Sequence, residues 1–596
     1  MAKAGSAYPQ AEPRLSALMD PRVAECPPGR RVDAALDVAR EAGANVLVLG
    51  GRCAVRRRDL ERATSWRLDD LRVGDVARDD AAALPVSALE VAARRLLIAG
   101  ASMILVRDGR RVVGVIDPED AEMARPRLSL AHRLDHAVSP LMEARIWLLR
   151  MAGKVSEGLG VPVFAVGGLV RDLLQGRAAL DVDLVVEGDG VAFARQLRDE
   201  IGGTLIVHGE FGTASIEGAA PPTGPPFGRI DLASARRERY ESPGALPKVS
   251  PANIEEDLRR RDFSVNALAI ALQPSAFGRL SDPLGGQRDL RRRCLRPLHP
   301  LSFVEDPTRV FRAARYAARL GLRLDASGRR ALELALRVGA YPALSGQRLR
   351  VEVDLTAADS TGWRGFELLL RWRALKLWHP GYRVSRNVVG RVRAAARLLA
   401  RTGRTGVGVD AGELALIALL ADQPIGVAQR CLARLAVTGD PARRLLEGMA
   451  ARPLARQLDG NAWRRPSEVA DALDRRSPQA LAGVWISGGP RARRQVEWFL
   501  RHGRTVRPLL SGDDLVALGI PRGPRVGRCL AALRRLRLDR VVRTRSDEET
   551  LVKGWASESR GFSMVAVGPG TIAARGPRRA RPERDAACSN TRGGLR

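Results

Sequence analysis

Residues 164–188, "FAVGGLVRDLLQGRAALDVDLVVEG", set the tightest constraint on how this chain folds. An apolar strand runs into Gly167-Gly168, a helix start follows, and a second apolar strand then carries Asp181 and Asp183. Side chains two positions apart on a strand share a face, and a buried strand excludes unpaired carboxylates. Paired carboxylates repel unless a cation lies between them, and hard oxygen ligands beside phosphate suit Mg²⁺. The glycine turn lets backbone approach a ligand closely, and the amides at the following helix start suit a phosphate. Asp231, in "GRIDLASARRERY", sits in another strand pattern and offers a third carboxylate. Three such groups beside the turn would build a two-metal phosphoryl-transfer site. The pattern alone leaves a second reading equally open, with Asp181 as a cap and Asp183 as a salt-bridge partner of Arg171.

Strand and helix signals alternate from 161 to about 297, which predicts a mixed α/β domain, with "AAPPTGPPFG" (219–228) as a hairpin loop that neither strand can continue. From 301 to about 545 the pattern is helical. Upstream, residues 31–63 and 85–124 form a weak internal repeat of amphipathic helix, small-residue turn, apolar strand, polar turn and helix start. Residues 128–160 read as a connecting helix, and both chain ends as unfolded tails. No apolar stretch is long enough to span a bilayer, and the first residues lack the apolar core of a signal peptide. The six scattered cysteines predict a reducing, cytoplasmic setting and no thiolate zinc site. His132 and His136 have helical spacing, but Arg133 stands where a zinc motif needs glutamate. A formal charge of +31, carried almost wholly by arginine, favours a polyanionic partner such as nucleic acid.

Further motifs follow the sheet pattern. In "EEDLRRRDFSVNALAI" (255–270), Arg260, Arg261 and Asp262 are suited to triphosphate and ribose hydroxyls. "SDPLGGQRDL" (281–290) reads as a glycine turn suited to a hinge. "FVEDPTRVFRAARYAARLGL" (303–322) starts a helix with Asp306 as its cap. Asp306 and Arg309 also match the Watson–Crick edges of cytosine and adenine: a carboxylate accepts from the exocyclic amine, a guanidinium donates to the ring nitrogen.

Taken in order, GGxVRD at 167–172, DxD at 181–183, RRDF at 260–263, DPxGGxxDL at 282–290 and EDxxR at 305–309 resemble the class II tRNA nucleotidyltransferases. These belong to the polymerase-β-like superfamily, with CCA-adding enzymes and bacterial poly(A) polymerases. The resemblance implies a multidomain α+β chain with a mixed α/β head and an elongated all-α neck, body and tail. The repeat resembles a tandem CBS pair, but Arg56 and Asp117 stand where its nucleotide contact has Ser or Thr. That favours a structural or oligomerising role and is compatible with a homodimer. The expected boundaries are a disordered tail at 1–20, the CBS-like pair at 21–138 and the head at 139–300. The neck follows at 301–360, the body at 361–505, a tRNA-binding tail at 506–575 and a disordered basic tail at 576–596.

On this resemblance Asp181 and Asp183 match the Mg²⁺ carboxylates and Asp231 the third catalytic one. Gly167, Gly168, Arg171, Arg260, Arg261, Asp262 and Asn266 match nucleotide contacts, Asp306 and Arg309 the base-selecting pair, and Arg312, Arg315 and Arg348 further neck contacts. "ESPGALPKVSP" (241–251) resembles a mobile head loop. "QRLRVE" (347–352) keeps Arg348 and Glu352 of a neck motif but has Gln347 for its first glutamate. The implied activity is addition of C and/or A to tRNA 3′ ends from CTP and ATP. A poly(A) polymerase of the same superfamily is the alternative, although its basic segment after the DxD strand is replaced here by "LIVHGEFGTASIEG". A catalytically silent, CBS-regulated RNA-binding protein is a third reading.

Overall fold

The computed structural model describes residues 14–79, 81–99, 101–117, 140–177, 182–208, 212–222, 226–401, 407–460 and 465–557. Asp181, His132, His136, the connection at 118–139 and the basic tail from 558 lie outside the described residues. The chain divides into two compact units, Met1–Trp463 with Ala472–Arg501, and Arg464–Asp471 with His502–Arg596.

In the first unit the N-terminal repeat forms two copies of one supersecondary unit. Copy one runs β1 (Val23–Glu25), helix Val32–Glu41, β2 (Val46–Leu49), β3 (Cys53–Arg56) and helix Arg57–Ser65. Copy two runs β4 (Ala82–Pro85), helix Glu90–Ala99, β5 (Ile104–Asp108) and β6 (Arg111–Ile116). In each copy the first strand pairs parallel to the second and the second antiparallel to the third. The opening strands β1 and β4 were not evident from the repeat pattern. The two copies meet through repeat-equivalent residues: Arg56 at the end of β3 forms a buried double hydrogen bond to Asp117 just after β6. Residues 14–20 depart from the expected disordered tail. Leu15 is fully buried in a short turn, Leu15–Ala17, and packs with Ile104, Val106 and Ile116, so the chain start completes the second copy's core.

After the helix Pro140–Leu159, the mixed domain is built on a sheet of seven strands among the described residues. These are β7 (Val163–Val166), β8 (Val182–Val186), β9 (Thr204–His208), β10 (Thr213–Glu217), β11 (Ile230–Ser234), β14 (Ala269–Ala271) and β15 (Leu280–Ser281), in the order β15-β14-β7-β8-β11-β10-β9. β12 (Arg236–Arg239) and β13 (Lys248–Pro251) form a separate hairpin. Only β8 and β11 run parallel, because the helix Gly190–Ile201 carries the chain across the sheet. Asp189 caps that helix by accepting from the amides of Val191 and Ala192, and the helix buries Phe193, Ala194, Leu197 and Ile201. Among the described residues, the first unit from Ser302 onward is helical apart from turns and one two-residue strand, as the Leu/Ala/Arg periodicity predicts. Its helix Ala411–Leu420 is apolar all round and accordingly buried.

The second unit has its own core of Leu510, Leu515, Ile520, Leu533 and Val552. Within it the buried Glu548 accepts from the Leu509 and Leu510 amides and from Arg537. The described cysteines are unpaired thiols. Among the described residues, no helix is long and apolar enough to cross a membrane.

Arg56→Met would strand Asp117 without its guanidinium in the interior. Removing one partner of a buried pair costs about 3–5 kcal/mol, whereas exchanging both for apolar groups is often neutral. The single variant is therefore expected to lose protection of β3 and β6 in hydrogen–deuterium exchange, and R56M/D117L to regain most of it.

Candidate active site

The parallel pairing of β8 and β11 puts Asp231 in register with Asp183. Paired residues on adjacent strands project to one face, so the two carboxylates are neighbours although 48 positions separate them (231 − 183). Their flanking residues Val182, Leu184, Ile230 and Leu232 are buried, while both aspartates are half-exposed. Asp231 Oδ1 accepts from Ser215 Oγ (2.6 Å) and from the exposed Arg229 (2.7 Å). Asp181, expected beside Asp183 as the other metal carboxylate, lies outside the described residues; among those described, no group of three His, Cys, Asp or Glu side chains forms a metal cluster.

Gly167 ends β7 with φ +65° and precedes the helix Gly168–Leu174. A Cβ there would lie 3.7 Å from Asp183 Oδ2 and 3.3 Å from Arg261 Nη1, so the turn lies directly against the carboxylate face. Arg261 reaches the turn while its Nε and Nη2 donate to Asp257. Arg260 differs from expectation in its surroundings. All three of its guanidinium nitrogens donate to Asp257 or Glu238, so it is bound within the protein. Asp257, fully buried, thus neutralises both arginines. Burial raises its carboxyl, but Arg261 and Arg260 more than reverse that and hold it below the usual carboxylate value.

A second chain of contacts starts at Arg171. Its Nε donates to Asp172 and its Nη1 to Asn266 Oδ1 (2.8 Å). Asn266 donates to Asp262 Oδ1 (3.0 Å), and Asp262 Oδ2 accepts two hydrogen bonds from Arg312 (2.9 and 2.8 Å). Arg312 and Arg315 then share the buried Glu352, one on each oxygen. Burial raises the Asp262 carboxyl, and Arg312, with the Asn266 amide, brings it below its ordinary value. The guanidiniums of Arg171, Arg312 and Arg315 all lie over the ring of Tyr316, 4.9–5.8 Å from its centre.

The third cluster holds the expected base-selecting residues, each with its own partner. Asp306 Oδ1 accepts from the amide and hydroxyl of Thr308, the first residue of the helix Thr308–Leu320, but Pro307 rather than Asp306 holds the expected N-cap position; Asp306 Oδ2 accepts from Arg348 (2.8 Å). Arg348 also donates to the carbonyl of Gly244 (3.0 Å), and the Gly244 amide donates to the Glu305 carbonyl. The segment expected as a mobile loop is thus fastened at Gly244, where a Cβ would collide with Leu344 at 2.8 Å. The buried Arg309 donates to Glu305 Oε2 (2.9 Å), Ser302 Oγ and the Arg260 carbonyl. Burial raises Glu305, and His299, Arg309 and Arg62 together bring it far below its ordinary value. In the 281–290 segment, Gly286 is needed for close packing: a Cβ there would overlap the Ser264 carbonyl.

Three contributors escaped the sequence reading: Asp257, Glu305 and Tyr316. Asp257 had a legible signal, since it stands three and four residues before Arg260 and Arg261 on one helical face. Tyr316 is one turn beyond Arg312, inside a segment whose sequence marks a helix and gives the tyrosine no separate signal.

The family model described as "Poly A polymerase head domain" matches residues 163–296, the segment that carries the first cluster and Arg171, Asn266 and Asp262 of the second. A CC-adding tRNA nucleotidyltransferase of Deinococcus radiodurans is 32% identical over 69% of this chain and 93% of its own length. The chain belongs to the tRNA nucleotidyltransferase family. An A-adding tRNA nucleotidyltransferase of Geobacter sulfurreducens is 34% identical over 67% of this chain, which spans 46% of that relative's length. Of solved family structures, the Thermotoga maritima CCA-adding enzyme complexed with tRNA has 26% identity and a TM-score of 0.60, covering 72% of this chain and 98% of that one. A CCA-adding enzyme complexed with CTP has 27% identity and a TM-score of 0.61, covering 73% and 100%.

Asp257→Asn should leave two partly buried guanidiniums incompletely neutralised, costing about 2–4 kcal/mol at neutral pH. The native contribution of Asp257 is fully present above its unfolded-chain value of about 3.9 and is lost as pH falls through the depressed native value. Denaturation midpoints of wild type and D257N are therefore expected to differ at pH 7 and to converge below about pH 4.

Proposed function

We propose that this chain is a template-independent nucleotidyltransferase that adds C and/or A to the 3′ end of tRNA, using CTP and ATP and releasing pyrophosphate. The observation that carries the reading is the in-register pair Asp183–Asp231 beside the Gly167 turn. The donor set is carboxylate oxygen, which suits a hard cation, and Gly167 keeps a side chain out of the space beside Asp183. Asp183, Asp231 and Asp181 would hold Mg²⁺. Bound there, Mg²⁺ supplies Lewis-acid neutralisation of the triphosphate and of the departing pyrophosphate. The chain's own residues orient the reactants. Arg261 and the Gly167-Gly168 backbone face the triphosphate, and Arg171, Asn266 and Asp262 fix the wall beside it. The tRNA 3′ oxygen attacks the α-phosphorus as the bond to the β-phosphate breaks.

Asp306 and Arg309 select the base, with Arg348 and Glu305 as the groups that hold them. Arg312 and Arg315 brace the neck through Glu352. Head, neck, body and tail are assigned to 139–300, 301–360, 361–505 and 506–575, with tRNA lying against the arginine-rich helices. The N-terminal repeat is read as a tandem CBS pair in a structural role. Its Arg56–Asp117 bond occupies the repeat-equivalent positions where such modules contact nucleotide, and a homodimer through this pair is the expected assembly.

The deciding assay is incubation with tRNA lacking its 3′ end, Mg²⁺ and labelled CTP or ATP. Incorporation of either is expected, and failure of both removes the reading. Long A tails on unrelated RNA would instead point to poly(A) polymerase. Asp181→Ala and Asp183→Ala are each expected to slow transfer by at least about 10³-fold, a barrier change of about 4 kcal/mol, with tRNA affinity nearly unchanged. Asp306→Ala should blur the choice among nucleotides more than it slows transfer, beyond the ~1 kcal/mol that loss of its bonds to Thr308 at the helix start costs.

A further inference from the structure

The N-terminal repeat reaches the residues around Arg309 through three separate contacts. Arg62, on the helix Arg57–Ser65, places Nη1 3.5 Å from Glu305 Oε1, the oxygen opposite the one that Arg309 and His299 use. The same nitrogen lies 3.4 Å from His299 Nδ1. A guanidinium only donates, so Nδ1 accepts, and the proton of the neutral imidazole sits on Nε2. From there it is donated to Glu305 Oε2 at 3.1 Å. The ring is buried, which itself favours the neutral form. Trp66, one residue past that helix, donates its indole N–H to the Tyr240 carbonyl at 3.2 Å, and the Arg309 guanidinium lies over the Tyr240 ring at 5.9 Å. Arg62 in turn lies over the Trp66 indole.

Thus both protein groups that flank Arg309, the Glu305 carboxylate and the Tyr240 ring, are backed by adjacent side chains of the N-terminal repeat. We propose that Arg62, with Trp66 beside it, is a positioning residue for nucleotide selection: it holds His299 and Glu305 so that Glu305 holds Arg309 in the orientation that reads the base. The inference rests on the proposed function, and it adds to that function a specificity role for a module outside the nucleotidyltransferase head. Glu305 is buried, and a buried carboxylate left with fewer partners shifts toward those that remain. Without Arg62, His299 Nδ1 also loses its donor, so the ring is held only by its Nε2–H bond to Glu305. Arg309 would then sample orientations that no longer exclude uracil and guanine.

The test uses the full chain, tRNA lacking its terminal nucleotides, and all four nucleoside triphosphates, with kcat and KM measured for each. Arg62→Met removes the charge and donors but keeps the stem; Arg62→Lys keeps the charge. For Arg62→Met, the preference in kcat/KM for the accepted nucleotide over UTP and GTP is expected to fall by about tenfold. Most of that loss is expected in KM of the accepted nucleotide, with the melting temperature and tRNA affinity unchanged and Arg62→Lys restoring most of the preference. Trp66→Phe, which removes only the donor to Tyr240, should shift preference in the same direction by a smaller factor, and it carries the test if Arg62→Met does not fold. Wild-type preference in both variants overturns the inference. So does a loss that is equal for all four nucleotides, follows a lowered melting temperature and is not rescued by lysine. Wild-type protein that transfers neither CTP nor ATP overturns the proposed function itself, and this inference with it, whereas an active wild type with unaltered variants overturns the inference alone.

Discussion

Asp262 is a carboxylate taken out of water, and the junction between the seven-stranded sheet and the helices that follow it depends on what it meets there. One oxygen accepts from Asn266 and the other twice from Arg312, which continues to Glu352. An ionised carboxylate in an interior is tolerable only with such partners, so the head cannot keep Asp262 buried unless the helix Thr308–Leu320 lies against it. Arg312 is suited to this as lysine would not be, because its planar fork gives two hydrogen bonds to one carboxylate and a third to the next. Tyr316 supplies the surface against which Arg312, Arg315 and Arg171 lie, so three cations crowd together without an acid between every pair. Arginine richness therefore has two meanings here. Exposed arginines give the chain its positive field, while Arg312 and Arg315, partly buried, tie the sheet domain to the helices that follow it.

Individual elements were legible in the sequence because their signals are local. Apolar runs marked β7, β8 and β11, the alternation of strand and helix signals carried the crossover helix, and Asp306-Pro307 marked the start of the helix Thr308–Leu320. The register of Asp231 with Asp183 was not legible, since β9 and β10 intervene in the chain but not between those strands in the sheet. Residues 14–20 look like tail by composition, and distant pairings of Arg14 with Leu89 and of Asp20 with Val115, with the burial of Leu15, give them structure. Arg260 and Arg261 show the limit of motif reading most clearly. They are adjacent and chemically identical, yet one faces the glycine turn while the other is enclosed by Asp257 and Glu238. The docking of Arg62 and Trp66 was equally hidden, because it depends on how the N-terminal repeat lies against the head.

The difference in environment among the acids also separates what is fixed from what is exchangeable. Asp257, Asp262, Glu305 and Glu352 are buried with guanidiniums that they cannot surrender without a penalty of several kcal/mol. Asp231 is half-exposed, and its arginine, Arg229, lies at the surface, where an ion pair contributes only about 0–1 kcal/mol. A cation arriving at the Asp183–Asp231 face would therefore displace Arg229 at little cost, whereas it could not dislodge Arg312 from Asp262. Four acids are thus committed to holding the scaffold. The carboxylates at the strand face, beside a turn from which a side chain is excluded, are the ones left able to exchange partners during a reaction.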